Sequence, residues 1–194
     1  MRIITLDQST RTGWCIGDER STEKWLFGSF RMPKRDDDGE RLVIFRDCLE
    51  ELIIKHQPDI CAYEAIYTPI GEHNARPPED GKRRIKFNPK TMGFLKNLEG
   101  VLIELTARHS IATEHFPSSS WRVSALGMGR LPSGAADAGM DFKKLMIQRA
   151  RQLGYDVKDD NEADAIGLML HMLNGAPAAA RAQGDLLDME AAKL

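Results

Sequence analysis

Three short apolar runs open the chain, at residues 1–7, 14–16 and 25–30, and only short polar or charged turns separate them. Segments this close in sequence cannot reach one another through a crossover helix, which takes a dozen or more residues, so they must pair as antiparallel neighbours. The N-terminal third is therefore expected to be a three-stranded meander. After it the pattern changes. Leu42, Phe45, Leu49, Leu52 and Ile53 recur at helical spacing and Pro58 stops them. Residues 60–64 form a short strand. Phe94, Leu98, Val101 and Leu105 mark a second helix, and residues 111–116 a further strand. Strands entered through helices run parallel, so the sheet is mixed and the class is α/β.

The remainder is helical. Pro117-Ser-Ser-Ser-Trp121 reads as a helix start with hydroxyl caps. Residues 127–140 are rich in Gly and Ala. Residues 142–153 form a basic helix ended by Gly154, and Asp159-Asp-Asn-Glu-Ala-Asp164 opens a last helix running to about Leu173. This predicts one domain over residues 1–174 and an Ala-rich tail over 175–194 that lies outside the core.

Composition narrows the function. Twenty-seven basic against 29 acidic residues leave a net charge of −2, which excludes a uniformly basic nucleic-acid binder but leaves room for a local patch. No run approaches the ~18 apolar residues of a membrane helix, and no signal peptide is expected. Cys15, Cys48 and Cys61 are odd in number and widely spaced, with no CxxC. That argues against a disulfide scaffold or a structural zinc site and for a cytoplasmic protein.

Three acids stand out by position. Asp7 ends the first strand, Glu64 ends the strand at 60–64, and Asp164 lies in the first turns of the last helix. Apolar residues run up to both Asp7 and Glu64, a costly place for an unpaired charge. Carboxylates gathered at strand ends are what a hard Mg²⁺ or Mn²⁺ ion requires, and two such ions serve phosphodiester hydrolysis. Each acid alone has an ordinary reading as a solvated strand end. Asp159 with Glu162 fits a capping box, and Asp160 is an alternative cap; Asp164 lies beyond the cap. His171, seven residues after Asp164, is expected to pack or hydrogen-bond rather than bind metal.

Leu6-Asp-Gln-Ser-Thr-Arg-Thr-Gly13, Ala62-Tyr-Glu64 and Asn161-Glu-Ala-Asp-Ala-Ile166 resemble, in order and spacing, the three signature blocks of the RuvC-type Holliday-junction resolvases. These belong to the RNase H-like nuclease superfamily, and the third block resembles its phage-type members. The resemblance spans residues 1 to about 174. It implies a five-stranded RNase H-like sheet with helices on both faces, and a homodimer that makes symmetric cuts in a four-way DNA junction. It implies Asp7, Glu64 and Asp164 as catalytic ligands of Mg²⁺ (or Mn²⁺), two ions per site. Asn161 stands where many members carry an Asp or His as fourth ligand, and Asp160 is an alternative. Lys143 or Lys144 is the candidate for a catalytic lysine beside the metal. Gln8-Ser9 replaces the usual Pro-Gly, so approach to the scissile phosphate through Ser9 and Thr12 is expected to differ.

The DNA contacts expected beyond the acids are Tyr67, at the position of an aromatic residue near the junction centre, and the run Lys82, Arg83, Arg84, Lys86 and Lys90. Arg122 belongs to a second basic group. Such cations supply sequence-independent affinity through phosphates. Two alternatives remain: a branched-DNA-binding module that does not cut, since Asn161 carries no charge, and an enzyme acting on RNA–DNA hybrids. A nucleotide-binding ATPase or kinase of the actin-like class is disfavoured, because that fold needs two such halves and this chain holds one. No nucleotide cofactor is expected.

Overall fold

The structure, a computed structural model, describes residues 1–33, 37–66, 88–131 and 141–175. The meander is present: β1 (Arg2–Asp7), β2 (Arg11–Asp18) and β3 (Leu26–Arg31) pair antiparallel, with Asp7 opposite Gly13 and Arg11 opposite Arg31. β4 (Ile60–Glu64) pairs parallel with β1, and β5 (Ala112–Phe116) parallel with β4, so the five-stranded order is β3-β2-β1-β4-β5. Both parallel strands are reached through helices, α1 (Asp38–His56) and α2 (Pro89–Arg108). α3 (Ser118–Leu126), α4 (Phe142–Gln152) and α5 (Asp160–Gly175) follow.

Alternate strand residues point to opposite faces, and this divides the core in two. Ile4, Leu6, Ile16, Cys61 and Tyr63 pack against Phe45, Leu49 and Ile53 of α1 and Phe94, Leu98, Leu102 and Leu105 of α2. Ile3, Cys15, Ile60 and Ala62 pack on the other face against α3, α4 and α5. β4, covered on both sides, is buried from Ile60 to Tyr63, whereas the edge strand β5 is exposed from Ala112 to His115.

The helix ends follow local chemistry. α1 begins four residues before the apolar periodicity, because Asp37 caps it by accepting from Gly39 N at 2.7 Å and acids fill its first turn. At α3 the expected hydroxyl cap is not used: Pro117 is the N-cap and no side chain bonds there. Asp159 caps α5 by accepting from Glu162 N at 3.0 Å, and Glu162 in turn accepts from Lys158 N at 2.8 Å.

Among the described helices α5 is the most buried, and small residues bring it close to the sheet. Thr5 Oγ1 donates to Ala165 O at 2.6 Å. A Cβ on Gly13 would stand 1.9 Å from Asn161 O, and one on Gly167 would stand 2.7 Å from Met146 Cε and 2.8 Å from Trp121 Cζ3. These two glycines set how closely α5 approaches β2 and α3. Among the described residues no helix is long and apolar enough to cross a membrane.

Candidate active site

Asp7, Glu64 and Asp164 come from three elements to one end of the sheet, on the α5 face. β1 and β4 run parallel with Leu6 beside Tyr63, so their terminal acids leave the sheet side by side. α5 lies across β1 and carries Asp164 one residue before the Ala165 carbonyl that Thr5 holds. Burial pushes the Asp7 carboxyl well above its usual range, and the neighbouring charges of Asp164, Glu64 and Asp160 raise it further, against Lys143. Burial raises Asp164 to about 7, with Glu64 and Asp160 adding to it and Arg122 and Lys143 opposing. Glu64 is raised by burial, partly offset by the Arg122 charge and by Trp121 Nε1, which donates to Glu64 Oε2 at 3.1 Å. Three acids each held above their ordinary values form a cluster short of positive charge.

Asn161 sits within this cluster. The amide orientation demanded by its neighbours has the nitrogen donating to Asp7 Oδ2 at 3.3 Å and to Arg11 O at 2.9 Å. Asp160 is bonded by Lys143 Nζ. The two candidate lysines thus differ. Lys143, 73% exposed, is felt electrostatically by Asp7 and Asp164, while Lys144 Nζ lies 3.8 Å from Asp141 Oδ2. Arg122 stacks 5.0 Å from the Trp121 ring centre and 4.6 Å from that of Phe142, and its charge lowers both Glu64 and Asp164.

A cleft of about 490 Å³ opens beside the acids, lined by Asp7, Ser9, Glu64 and residues of α2 and α3. Ser9 Oγ donates to Arg11 O at 2.6 Å, and Thr12, buried, donates its hydroxyl to Ser9 O at 3.0 Å, so both shape the turn after β1. Lys90 is exposed at the start of α2. Tyr67, Lys82, Arg83, Arg84 and Lys86 lie outside the described residues, as do residues 132–140 and the tail beyond residue 175. His171 is a hydrogen-bonding residue, with Nδ1 2.7 Å from Ser124 Oγ and its ring edge-on to Phe116.

Three contributors escape a reading of the sequence. Gln8, buried, donates Nε2 to Glu64 O at 2.7 Å and so ties the ends of β1 and β4 together. Trp121 orients Glu64, and Gly13 admits the start of α5. Their partners lie far away along the chain, so no local spacing announces them.

The donor set fits a hard divalent cation. Asp7, Glu64 and Asp164 offer carboxylate oxygens, and each acid is raised by burial, at Asp7 and Asp164 also by neighbouring negative charge, which a cation would offset. Among the described residues no three His, Cys, Asp or Glu side chains are gathered closely enough to hold an ion as they stand.

No family model matches the chain. The crossover junction endodeoxyribonuclease RuvC of Rickettsia prowazekii (strain Madrid E) is 21% identical over 171 residues, covering 87% of this chain and 94% of the relative. The Thermus thermophilus RuvC structure matches with a TM-score of 0.62 at 12% identity, over 90% of this chain and 95% of that one. T. thermophilus RuvC in complex with Holliday junction substrate matches at 0.61 and 10% identity, with the same coverage. The yeast mitochondrial Holliday junction resolvase Ydc2 matches at 0.51 and 11% identity, over 88% of this chain and 77% of that one. The fold is thus that of the RuvC and Ydc2 structures, and the likeness to RuvC, in sequence and in structure, runs along nearly the whole of both chains.

Proposed function

We propose that this chain is a metal-dependent, structure-selective DNA endonuclease that resolves four-way or other branched DNA by symmetric phosphodiester hydrolysis. The observation that carries the reading is the convergence of three half-buried acids, Asp7, Glu64 and Asp164, at one corner of a RuvC fold. The 94% coverage of the Rickettsia relative supports it, since little of that nuclease lacks a counterpart here.

Asp7, Glu64 and Asp164 hold Mg²⁺ (Mn²⁺ substituting), two ions per site, with the Asn161 carbonyl as a neutral fourth ligand. Bound there, a divalent ion supplies the charge that activates a water and stabilises the leaving oxygen. The chain's own residues do the rest. Trp121 holds Glu64 in one orientation, and Gln8 sets the spacing between β1 and β4. Lys143, the better placed of the Lys143/Lys144 pair, and Arg122 offset the charge that builds at the phosphate. Ser9 and the turn shaped by Thr12 meet the strand at the cleft. Tyr67, Lys82, Arg83, Arg84, Lys86 and Lys90 bind the junction arms through stacking and phosphates. Residues 1–174 form the nuclease domain, with the tail outside it. The active form is a homodimer whose twofold axis matches that of the junction, with α2 as the interface element.

The test is cleavage of a synthetic four-way junction beside linear duplex, single-strand and RNA–DNA hybrid controls, with Mg²⁺ and with Mn²⁺. Paired symmetric nicks on the junction, absent in Asp7→Asn, are expected. Cutting of the hybrid alone would move the activity to an RNase H role. The neutral Asn161, with its N–H on Asp7, favours one second reading, a junction-binding module. Tight binding without cutting under either metal would establish that instead.

A further inference from the structure

On the other side of Asn161 from Glu64 lies a second hollow, of about 430 Å³, that the acids do not use. Its floor is the odd-numbered side of β2 and β3, with Phe27 and Ser29, and its wall is the turn entering α5. The carboxylates of that wall are consumed internally. Asp159 takes Arg11 Nη1 at 2.6 Å and Ser29 Oγ at 3.2 Å, while Glu162 is buried on Lys158 N at 2.8 Å and Ser29 Oγ at 3.3 Å. The cations on the rim are not consumed. Arg31 and Lys158 are both exposed, and among the described residues neither side chain makes an ion pair or a hydrogen bond. Asp156 is the exposed acid on the same rim.

Arg11, which lines the hollow, links it to the acid cluster. Arg31 pairs in register with Arg11, whose carbonyl receives both Ser9 Oγ and the Asn161 amide that also meets Asp7. A nucleic-acid strand lying over Asp7 and continuing past Arg11 would meet the edge strand β3 at Arg31. A guanidinium fork and an ammonium left without carboxylates there match phosphate oxygens.

We infer that Arg31 and Lys158 form a phosphate-binding platform that holds the backbone of the DNA arm leaving the site on its β3 side. This rests on the endonuclease reading and extends it to the β3 edge of the sheet. Both side chains are exposed, so removing them leaves the core alone.

The experiment is binding of the full chain to a fluorescent four-way junction and to linear duplex of the same sequence, in EDTA, across a range of salt. Arg31→Ala with Lys158→Ala is expected to weaken binding about tenfold near 0.1 M salt. It should also make the log–log salt dependence shallower by about 1.8, two phosphate contacts at roughly 0.9 each. Asp156→Asn should tighten binding two- to threefold by removing a repelling charge. Arg20→Ala, an exposed cation at the opposite end of the sheet, should change neither quantity. An unchanged slope in the double variant, or an equal change in Arg20→Ala, overturns the platform. The endonuclease reading fails by a different sign, a wild type that cuts no junction and prefers none over duplex. A wild type that binds neither DNA overturns both.

Discussion

The two faces of the sheet are built on different terms. The face under α1 and α2 is an apolar contact of Ile4, Leu6 and Ile16 with Phe45, Leu49, Leu98 and Leu102. The face under α5 has an apolar core too, but it also carries a buried Glu162 and three half-buried acids, Asp7, Glu64 and Asp164. The first face supplies stability. The second surrenders some of it, because repelling carboxylates out of water oppose folding. Mutation should therefore uncouple stability from activity in opposite directions on the two faces.

The sharpest break is Asp7→Asn. Junction cleavage should fall by at least about a thousandfold, the equivalent of several kcal/mol of lost charge stabilisation. The melting temperature without metal should hold or rise, since a buried repelled acid becomes neutral. Leu49→Ala on the opposite face should do the reverse. It should lose about 2–5 kcal/mol in denaturant unfolding, with cleavage per folded molecule unchanged well below the melting temperature. Gly13→Ala should damage both properties together, because its Cβ would stand 1.9 Å from Asn161 O. About 1–3 kcal/mol of stability is expected to go as the start of α5 shifts, with cleavage falling alongside.

A smaller effect sharpens the contrast through pH. Asp164 titrates near 7 in the folded chain against 3.8 as its ordinary value. Between those values the folded state holds a proton that the unfolded state has released. Metal-free stability should therefore fall as pH rises through that window. Thermal melts in EDTA at pH 5 and pH 8 would show it, and Asp164→Asn should flatten the difference. The smallest change expected is in Lys143→Ala, a few-fold loss of cleavage with no change in melting temperature, because this side chain is largely exposed.

Much of this division was legible in the sequence, for identifiable reasons. Short turns forced the meander, helical spacing produced α1 and α2, and an apolar run ending in a carboxylate marked Asp7 and Glu64. The apolar spacing of α1 begins only at Leu42, so its start at Asp38, set by the capping Asp37 and the acids of the first turn, carries no periodic signal. The Pro117-Ser-Ser-Ser stretch suggested a hydroxyl cap that α3 does not use. Gln8, Trp121 and Gly13 could not be found this way. Each acts on a group that only the folded chain brings near: a carbonyl on the adjacent parallel strand, a carboxylate on β4, a backbone oxygen at the mouth of α5.

The seating of α5 against Gly13 also fixes an order of events during synthesis. A chain is made N-terminus first, so β1, β4 and every helix up to α4 are synthesised before the last acid. Until α5 closes onto β2, two acids exist without the third. A nascent or interrupted chain thus lacks the assembled three-acid site, which is complete only once α5 is in place.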